Sequence, residues 1–427
     1  MKKTKKMSKR KCSTTKKGLK YFISCTPCMI NTLVFIALCV GGTMLYKHIR
    51  ANHVFKIDQK LELLSEPFLH VPNFNDDKSK ISFHWFDAFN ADISNMDLSL
   101  LGDKINFISF DNLTKFPSDT KMPKGFEPKK LLEAGKNPGL GVRGLHAKGI
   151  TGKGITVAVI DWPLYPNHQE IKDNFVHYEE PDWDRKKMDY EFHGVAMASV
   201  LCGKAVGVAP DAKLAYFAPS IIQGIQDEKA VEGHLYISGE IAVLQKILKM
   251  NKKLPKDKRI SAVSISRGWY NKSNLFPEFK KVVKDLIDSG VFVLYVGADE
   301  YEIPGGFGCS ITGRMPNSDP DDVNSYFVPY GCNGTFVAPS GGRTVAGNQS
   351  TDNYRYTGIK QGGASETVPY VVGTWALAKQ VYPDLMPKEF FKIAYETGYR
   401  LESVNGNYNI LIQPTKIIEY LQNKNVK

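Results

Sequence analysis

The pattern of apolar and polar positions becomes regular from about residue 150 onward. Four short runs rich in apolar and β-branched residues predict strands buried on both faces, at 155–160, 213–218, 260–265 and 291–296. Amphipathic segments between them predict helices at 239–253 and 277–290. Because strands and helices alternate, we predict an α/β fold with a mainly parallel sheet flanked by helices. Functional side chains of such folds lie at the carboxyl ends of the strands.

A further helical pattern lies near the C-terminus, in QGGASETVPYVVGTWALAKQ, residues 361–380. Ser365 follows two glycines and an alanine, so it lies at a tight entry to this helix. Pro369 is predicted to lie in the first turn, where the missing N–H of a proline costs little. One buried stripe is predicted for the apolar positions Val368, Val371, Val372, Trp375 and Leu377.

The chain before these elements has a less regular pattern. Residues 47–125 contain short apolar clusters without a sustained period, and we treat them as an N-terminal extension. Three interpretations stay open for this segment: a removable pro-segment, a spacer, or an extension packed on the main domain. The main domain is predicted to run from 126 to 427.

Charge is concentrated at the N-terminus. Residues 1–50 carry 12 of the 56 lysines and arginines and no acidic residue, which leaves 44 basic and 44 acidic residues in 51–427. The net charge of +12 therefore belongs to a basic tail, residues 1–27 above all, and gives no support to nucleic-acid binding by the main domain.

An uncharged run, CMINTLVFIALCVGGTMLY at 28–46, follows this tail. Its length is close to the ~20 residues that span a bilayer as a helix. Since the basic residues precede it, we predict a single-pass signal anchor with a cytoplasmic N-terminus and an extracytoplasmic main domain. A signal peptide that is cleaved to release a secreted protein, and a lipoprotein modified at Cys39, are the alternatives.

The cysteines add two hypotheses. The CTPC sequence at 25–28 has the spacing of a redox motif, but no strand and helix surround it, so we interpret it as incidental. Cys309 and Cys332 share a glycine-rich region and are candidates for a disulfide outside the cytoplasm.

Three polar residues beside the predicted elements are candidates for chemistry. Asp161 directly follows the run 155–160, His193 precedes Gly194 and a helix of small residues, and Ser365 begins the last helix. Taken singly, they are more typical of a turn cap, a structural histidine and a helix cap. Taken together, Asp, His and Ser in this chain order form one of the known arrangements of a serine nucleophile, its base and an orienting acid.

The surroundings of these residues resemble the subtilisin-like serine peptidases, the subtilase family, over about residues 140–400. GLHAKGITGKGITVAVID (144–161) resembles the family's entry into its first core strand. HGVAMASVLCG (193–203) resembles its HGTHVAG-type helix, and GGASETVPYVVG (362–373) resembles its GTSMASPHVAG nucleophile segment.

The resemblance implies a role for each residue. Ser365 Oγ would attack the scissile carbonyl, His193 would take the proton and pass it to the leaving amine, and Asp161 would fix the imidazole tautomer. SISRG (264–268) resembles the edge that pairs with the substrate backbone, which implies substrate binding by Ser266 and Gly268. Gly297 would line the first substrate pocket.

One departure from the family concerns the oxyanion. GVFVLYVGADE (290–300) places Asp299 where the family usually has an asparagine that donates to the oxyanion. Asp299 would donate only when protonated; otherwise the Ser365 N–H and the helix N-terminus would have to suffice, or the protein would not be a protease. Asn348 is expected to lie in a surface loop.

The remaining departures concern substrate and ions. Arg267, Asp299 and Glu300 predict a polar rim that suits basic substrate residues, and Trp162 and Glu366 replace the family's usual residues beside the acid and the nucleophile. No cofactor or metal is expected to be required; Ca²⁺ is implied by the family alone, and NSDPDD (317–322) is expected to be a solvated loop.

We therefore expect a membrane-anchored serine endopeptidase that hydrolyses polypeptide substrates through Asp161, His193 and Ser365. The alternative is a catalytically dead subtilase fold that binds peptides in the same groove.

Overall fold

The computed structural model describes residues 87–180, 192–219, 232–268, 273–302, 311–329, 335–359, 362–403 and 406–425. The helices are α1 (Pro128–Ala134), α2 (Val142–Ala147), α3 (Phe192–Cys202), α4 (Glu232–Lys253), α5 (Phe276–Asp288), α6 (Ala364–Val381), α7 (Pro387–Thr397) and α8 (Pro414–Asn425). Short 3₁₀ helices occur at Ser99–Phe107, Asp119–Lys121, Lys256–Lys258 and Val323–Ser325.

The strands are β1 (Phe110–Asp111), β2 (Thr156–Ile160), β3 (Phe175–Glu179), β4 (Lys213–Phe217), β5 (Ile260–Ile265), β6 (Phe292–Tyr295), β7 (Gly313–Arg314), β8 (Tyr326–Phe327), β9 (Phe336–Val337), β10 (Thr344–Ala346), β11 (Tyr354–Tyr356), β12 (Tyr399–Glu402) and β13 (Tyr408–Leu411).

A five-stranded parallel sheet in the order β3-β4-β2-β5-β6 forms the centre of the fold. The four predicted strands are β2, β4, β5 and β6, and their ends lie within one residue of the predicted bounds. β2 and β6 are buried at every position, as expected for strands covered on both faces. The predicted α/β fold with a parallel sheet and helices is therefore confirmed. The predicted helices correspond to α4, which begins earlier than expected, and α5.

Helix α6 crosses the core and is buried on all sides. Every residue from Thr367 to Ala378 is buried, so the predicted apolar stripe is correct but too narrow. Trp375 stacks on Phe292 of β6 with ring centroids 5.1 Å apart, and its indole N–H donates to Ser261 Oγ at 2.8 Å. Full burial of one large apolar side chain contributes roughly 1.5–3 kcal/mol relative to exposure, so this packing fixes the helix firmly.

The predicted position of Pro369 was wrong. Because Gly363 is the N-cap of α6, Pro369 lies inside the helix and not in its first turn. Its missing N–H leaves the carbonyl four residues earlier, that of Ser365, without its helical donor.

The described part of the N-terminal extension, residues 87–125, packs on the main domain. Its strand β1 pairs antiparallel with β11, and Phe110 contacts Phe116, Phe126 and Tyr356 at ring-centroid distances of 5.1–6.3 Å. These residues belong to a second hydrophobic cluster that also includes Val206. Residues 87–125 therefore share a core with the main domain.

Arginine 355 links this extension to the first turn of α3. Its guanidinium carbon lies 3.6 Å from the ring centroid of Phe89 in the extension and 3.8 Å from that of Phe192, the residue before His193. Contacts at this distance are typical of stacked cation–π interactions.

Several predictions lie outside the described residues: the basic tail, the membrane span at 28–46, the CTPC sequence, Cys39, and the Cys309–Cys332 disulfide. Within the described ranges, no helix combines the length and the apolar character needed to cross a bilayer.

If the extension shares the core, truncating its central ring should destabilise the whole domain. We expect Phe110→Ala to lower the free energy of unfolding by about 3–5 kcal/mol, since it leaves a cavity among three aromatic rings. Leu100→Ala is the matched control, because Leu100 is 91% exposed in the same segment and should change stability little. Denaturant unfolding of the full-length variants measures both, and equal small losses would contradict the packing described for the extension.

Candidate active site

Asp161 and His193 are in direct contact at the carboxyl edge of the central sheet. Asp161 follows β2 and is fully buried; its Oδ1 accepts a hydrogen bond from His193 Nδ1 at 2.8 Å. The same oxygen accepts from the Trp162 N–H at 2.7 Å, so Asp161 is also a turn cap. Because Nδ1–H donates to the carboxylate, Nε2 of His193 remains the basic nitrogen.

Close packing of the chain after Asp161 against α3 makes this contact geometrically feasible. A Cβ on Gly194 would collide with the Trp162 carbonyl oxygen and the Tyr216 hydroxyl, which hydrogen-bond to each other. Glycine at this position therefore lets the start of α3 approach the end of β2 and brings His193 to Asp161.

Opposing effects set the proton affinity of His193, whose side chain is 23% exposed. Burial lowers its pKa, whereas the charge and hydrogen bond of Asp161 raise it. Glu366 raises it further, and the positive charge of Arg267 opposes this. The net result is a His193 pKa above its ordinary value.

Ser365 is the second residue of α6 and is held by Ser266, which follows β5. The Ser266 hydroxyl donates to the Ser365 carbonyl at 2.9 Å and so replaces the donor that Pro369 lacks. In return, the Ser365 hydroxyl donates to the Ser266 carbonyl at 3.3 Å. Ser365 is therefore not the helix cap, and its peptide N–H lies in the first turn, where helical N–H groups have no intrahelical acceptor.

The structure thus brings the sequence-predicted residues together as two pairs. Asp161 contacts His193, and Ser365 contacts Ser266. No hydrogen bond joins Ser365 Oγ to His193 within the described part of the chain. The charge of Glu366, the residue after Ser365, raises the pKa of His193 and so links the two pairs electrostatically.

The predicted substrate-binding residues lie where the chain leaves β5 and β6. The Val296 N–H donates to the Arg267 carbonyl at 2.9 Å, so the two segments continue side by side beyond the sheet. Gly268 is half-buried there, and Gly297 is exposed with φ of +90°, a conformation that favours glycine. This edge offers backbone groups to an extended chain.

Asp299 is paired with a residue outside the predicted triad. Its side chain is 71% exposed and forms an ion pair with Lys280 of α5, which also contacts Glu300 at 2.7 Å. No hydrogen bond or ion pair connects Asp299 to Asp161, His193 or Ser365 among the described residues. Lys280 was missed by sequence reasoning, because only the folded chain brings α5 next to the end of β6.

Arg267 of the predicted polar rim contacts Trp162 and also a buried residue that the sequence did not reveal, Glu240. The Arg267 guanidinium lies 5.4 Å from the ring centroid of Trp162, and its Nη1 lies 3.8 Å from the carboxylate of Glu240. Glu240, on α4, is fully buried. The ring of Trp162 therefore contacts the rim.

The acidic loop 317–322 has several carboxylates, and their partners decide whether the loop fits Ca²⁺. The acidic loop 317–322 is exposed, but its carboxylates accept backbone N–H groups: Asp319 from Asp321, Asp321 from Gly141, and Asp322 from Asn324, each at 2.9 Å. No group of three or more His, Cys, Asp or Glu side chains suited to a metal occurs in the described ranges. The acidic loop therefore does not fit a calcium site. Asn348 is half-buried in a loop between β10 and β11.

The hydroxyl of Ser266 should matter more than that of its neighbour Ser264. Ser266→Ala removes the donor to the Ser365 carbonyl and should cost about 1–3 kcal/mol of unfolding free energy, because it leaves that acceptor unpaired. Ser264→Ala is the matched control: this buried hydroxyl in β5 has no hydrogen-bond partner in the described structure, so its loss should be neutral or stabilising. Denaturant unfolding compares the two, and equal effects would count against the assigned bond.

A family model, the subtilase family, matches residues 152–295, which include Asp161 and His193 and end before Ser365. A search of curated proteins found no match. Similar solved structures include that of the subtilase cytotoxin SubAB, with 16% identity, a TM-score of 0.47, and coverage of 67% of this chain and 96% of that chain.

Two others are the prenylagaramide maturation protease PagA and a cold-adapted subtilisin-like serine proteinase. PagA has 14% identity and a TM-score of 0.45 over 66% of this chain and 98% of that chain. The proteinase has 18% identity and a TM-score of 0.40 over 61% and 89%. Scores this low carry no information on reaction or substrate. The family model agrees with the resemblance seen in the motifs over residues 152–295, where the chain matches the subtilase family.

Proposed function

We propose that the protein is a serine endopeptidase that cleaves polypeptides through an acyl-enzyme intermediate. In this proposal Ser365 Oγ attacks the scissile carbonyl as His193 Nε2 takes its proton. His193 then returns the proton to the leaving amine, and water repeats the sequence to release the acyl group. Asp161 holds the tautomer and stabilises the imidazolium.

The hydrogen bond between buried Asp161 Oδ1 and His193 Nδ1, 2.8 Å long, is the observation that best supports this proposal. It leaves Nε2 as the basic nitrogen of a side chain that is 23% exposed. The family model covers both residues, and polypeptide substrates are consistent with it.

We assign oxyanion stabilisation to the N-terminus of α6. The Ser365 N–H lies in the first turn, and the helix dipole favours negative charge there. Asp299 occupies the position that the family resemblance assigns to the oxyanion donor, but its pairing with Lys280 favours the ionised, non-donating form. It is therefore the atypical feature of this proposed site.

The alternative function is peptide binding without turnover. Two observations favour it: the ion pair of Asp299 with Lys280, and the Ser365 hydroxyl directed at the Ser266 carbonyl and not at His193. Ser266, Gly268 and Gly297 would then bind an extended peptide that is never cleaved.

The proposed cellular arrangement rests on sequence alone. Residues 28–46 anchor the chain in a membrane, the basic tail 1–27 stays in the cytoplasm, and the domain from 126 to 427 acts outside it. Release by signal cleavage is the alternative. No metal or cofactor takes part in the proposed reaction, and no nucleic acid binds.

Covalent labelling tests the nucleophile. A fluorophosphonate phosphonylates an activated serine oxygen and releases fluoride, so we expect full-length protein to be labelled and Ser365→Ala not to be. His193→Gln should lose labelling as well, because it lacks the base. Labelling is followed from about pH 5 to 8, where histidine titrates. Absence of labelling in a folded sample would favour the peptide-binding alternative.

A second substitution tests the oxyanion assignment. Asp299→Ala should change the labelling rate by less than about tenfold, because the carboxylate is exposed and turned toward Lys280. If Asp299 were a protonated oxyanion donor, its removal would lower the labelling rate by a factor of roughly 10²–10³. A loss of that size would overturn our assignment to the helix N-terminus.

A further inference from the structure

Glu366 is a carboxylate directly after the proposed nucleophile, a position where the peptidase mechanism requires no charged residue. It is the third residue of α6 and is half-buried. Buried or partly buried charges are costly unless they are paired or hydrogen-bonded, so we examined what holds this one.

The carboxylate closes the first turn of α6. Glu366 Oε2 accepts the Gly363 N–H at 2.8 Å, and the Glu366 N–H donates back to the Gly363 carbonyl at 3.3 Å. In a capping box, the N-cap side chain normally supplies one of these bonds. Gly363 has no side chain, so Glu366 provides the side-chain part of the cap alone. Ala364 and Ser365 lie within this closed turn.

The charges that face Glu366 come from two other parts of the fold. His193, on α3, and Arg343, before β10, lower the pKa of Glu366, while burial raises it by more. Arg343 is buried and donates to the Val206 carbonyl at 2.9 Å. Glu366 is the acidic residue of α6, and its charge acts on both His193 and Arg343.

His193 in turn faces three charged groups. Asp161 reaches it from the end of β2, Glu366 from α6, and Arg267 from the end of β5. Both carboxylates favour the imidazolium, and the guanidinium disfavours it. The charge of Glu366 therefore raises the pKa of His193, and the charge of His193 lowers the pKa of Glu366.

We propose that Glu366 is a positioning residue: its hydrogen bond to Gly363 fixes the turn that presents Ser365, and its negative charge favours the protonated form of His193. The charge makes His193 a stronger base and stabilises the imidazolium formed on proton transfer. The cost is that neutral His193 is reached only at higher pH. The catalytic consequences rest on the proposed function, but the two contacts do not.

Two substitutions separate the roles. Glu366→Gln removes the charge and keeps an oxygen that can accept the Gly363 N–H, whereas Glu366→Ala removes both. Glu396→Gln, which removes an exposed charge paired only with Lys392, is the matched control. All are made in the full-length chain, with His193 observed by NMR after labelling of histidine Cε1 and assigned by the loss of its signal in His193→Gln.

The expected result is a lower His193 pKa in Glu366→Gln, with no change in Glu396→Gln. The thermal midpoint should stay unchanged in Glu366→Gln and fall in Glu366→Ala. If the fluorophosphonate labels the protein, the acid limb of its rate should move to lower pH with Glu366→Gln, since neutral His193 is lost only as pH falls through its pKa. The labelling rate of Glu366→Ala should be lower than that of Glu366→Gln at every pH.

An unchanged His193 pKa in Glu366→Gln would overturn the charge role, and equal stability of the Gln and Ala variants would overturn the turn role. If Glu366→Ala does not fold, the loss itself supports the turn role, and Glu366→Gln decides the charge role. Absence of labelling in the wild-type protein would contradict the proposed peptidase while leaving the NMR and stability results valid tests of Glu366.

Discussion

The complete burial of helix α6 is the constraint on which the candidate site depends. A helix with no exposed face cannot rotate or slide without breaking core contacts, so its first turn is held at one place beside the end of β5. Pro369 frees the Ser365 carbonyl inside this helix, and the hydroxyl of Ser266 pairs with it at 2.9 Å. The position of Ser365 is therefore set jointly by core packing and by one side-chain hydrogen bond.

The part of the site that holds Asp161 and His193 depends on a close approach between two backbone segments. Gly194 allows the start of α3 to pack against the Trp162 carbonyl, and this brings His193 to Asp161. Arg355 adds a connection from outside, because it contacts Phe192 on one side and the extension residue Phe89 on the other. A removable pro-segment that included residues 87–125 would take part of this support with it, which favours retention of at least this part of the extension.

Sequence reasoning succeeded where burial alone determines the pattern. Strands covered on both faces are predominantly apolar, so β2, β4, β5 and β6 were visible in the sequence. β3 was missed because it is an edge strand with mixed exposure and polar residues. The extension was unreadable because its strand has two residues and its other elements are 3₁₀ turns, held by contacts with β11 that no local pattern encodes. Asp161 and His193 were found from their neighbourhoods, but the 2.8 Å contact between them is a property of the fold.

The environment of each unusual carboxylate decides how it acts. That environment could not be predicted from the position of the residue in the sequence. Asp299 and Glu366 are the two carboxylates that depart from the family pattern at the candidate site, and their environments differ. Asp299 is exposed and paired with Lys280, so water and the ammonium group attenuate its field. Glu366 is half-buried, accepts a backbone N–H, and raises the pKa of His193 through its charge. A charge in the less polar environment has the larger effect per unit distance, so the carboxylate that resembles a defect in the sequence has less influence on the site than its neighbour in α6.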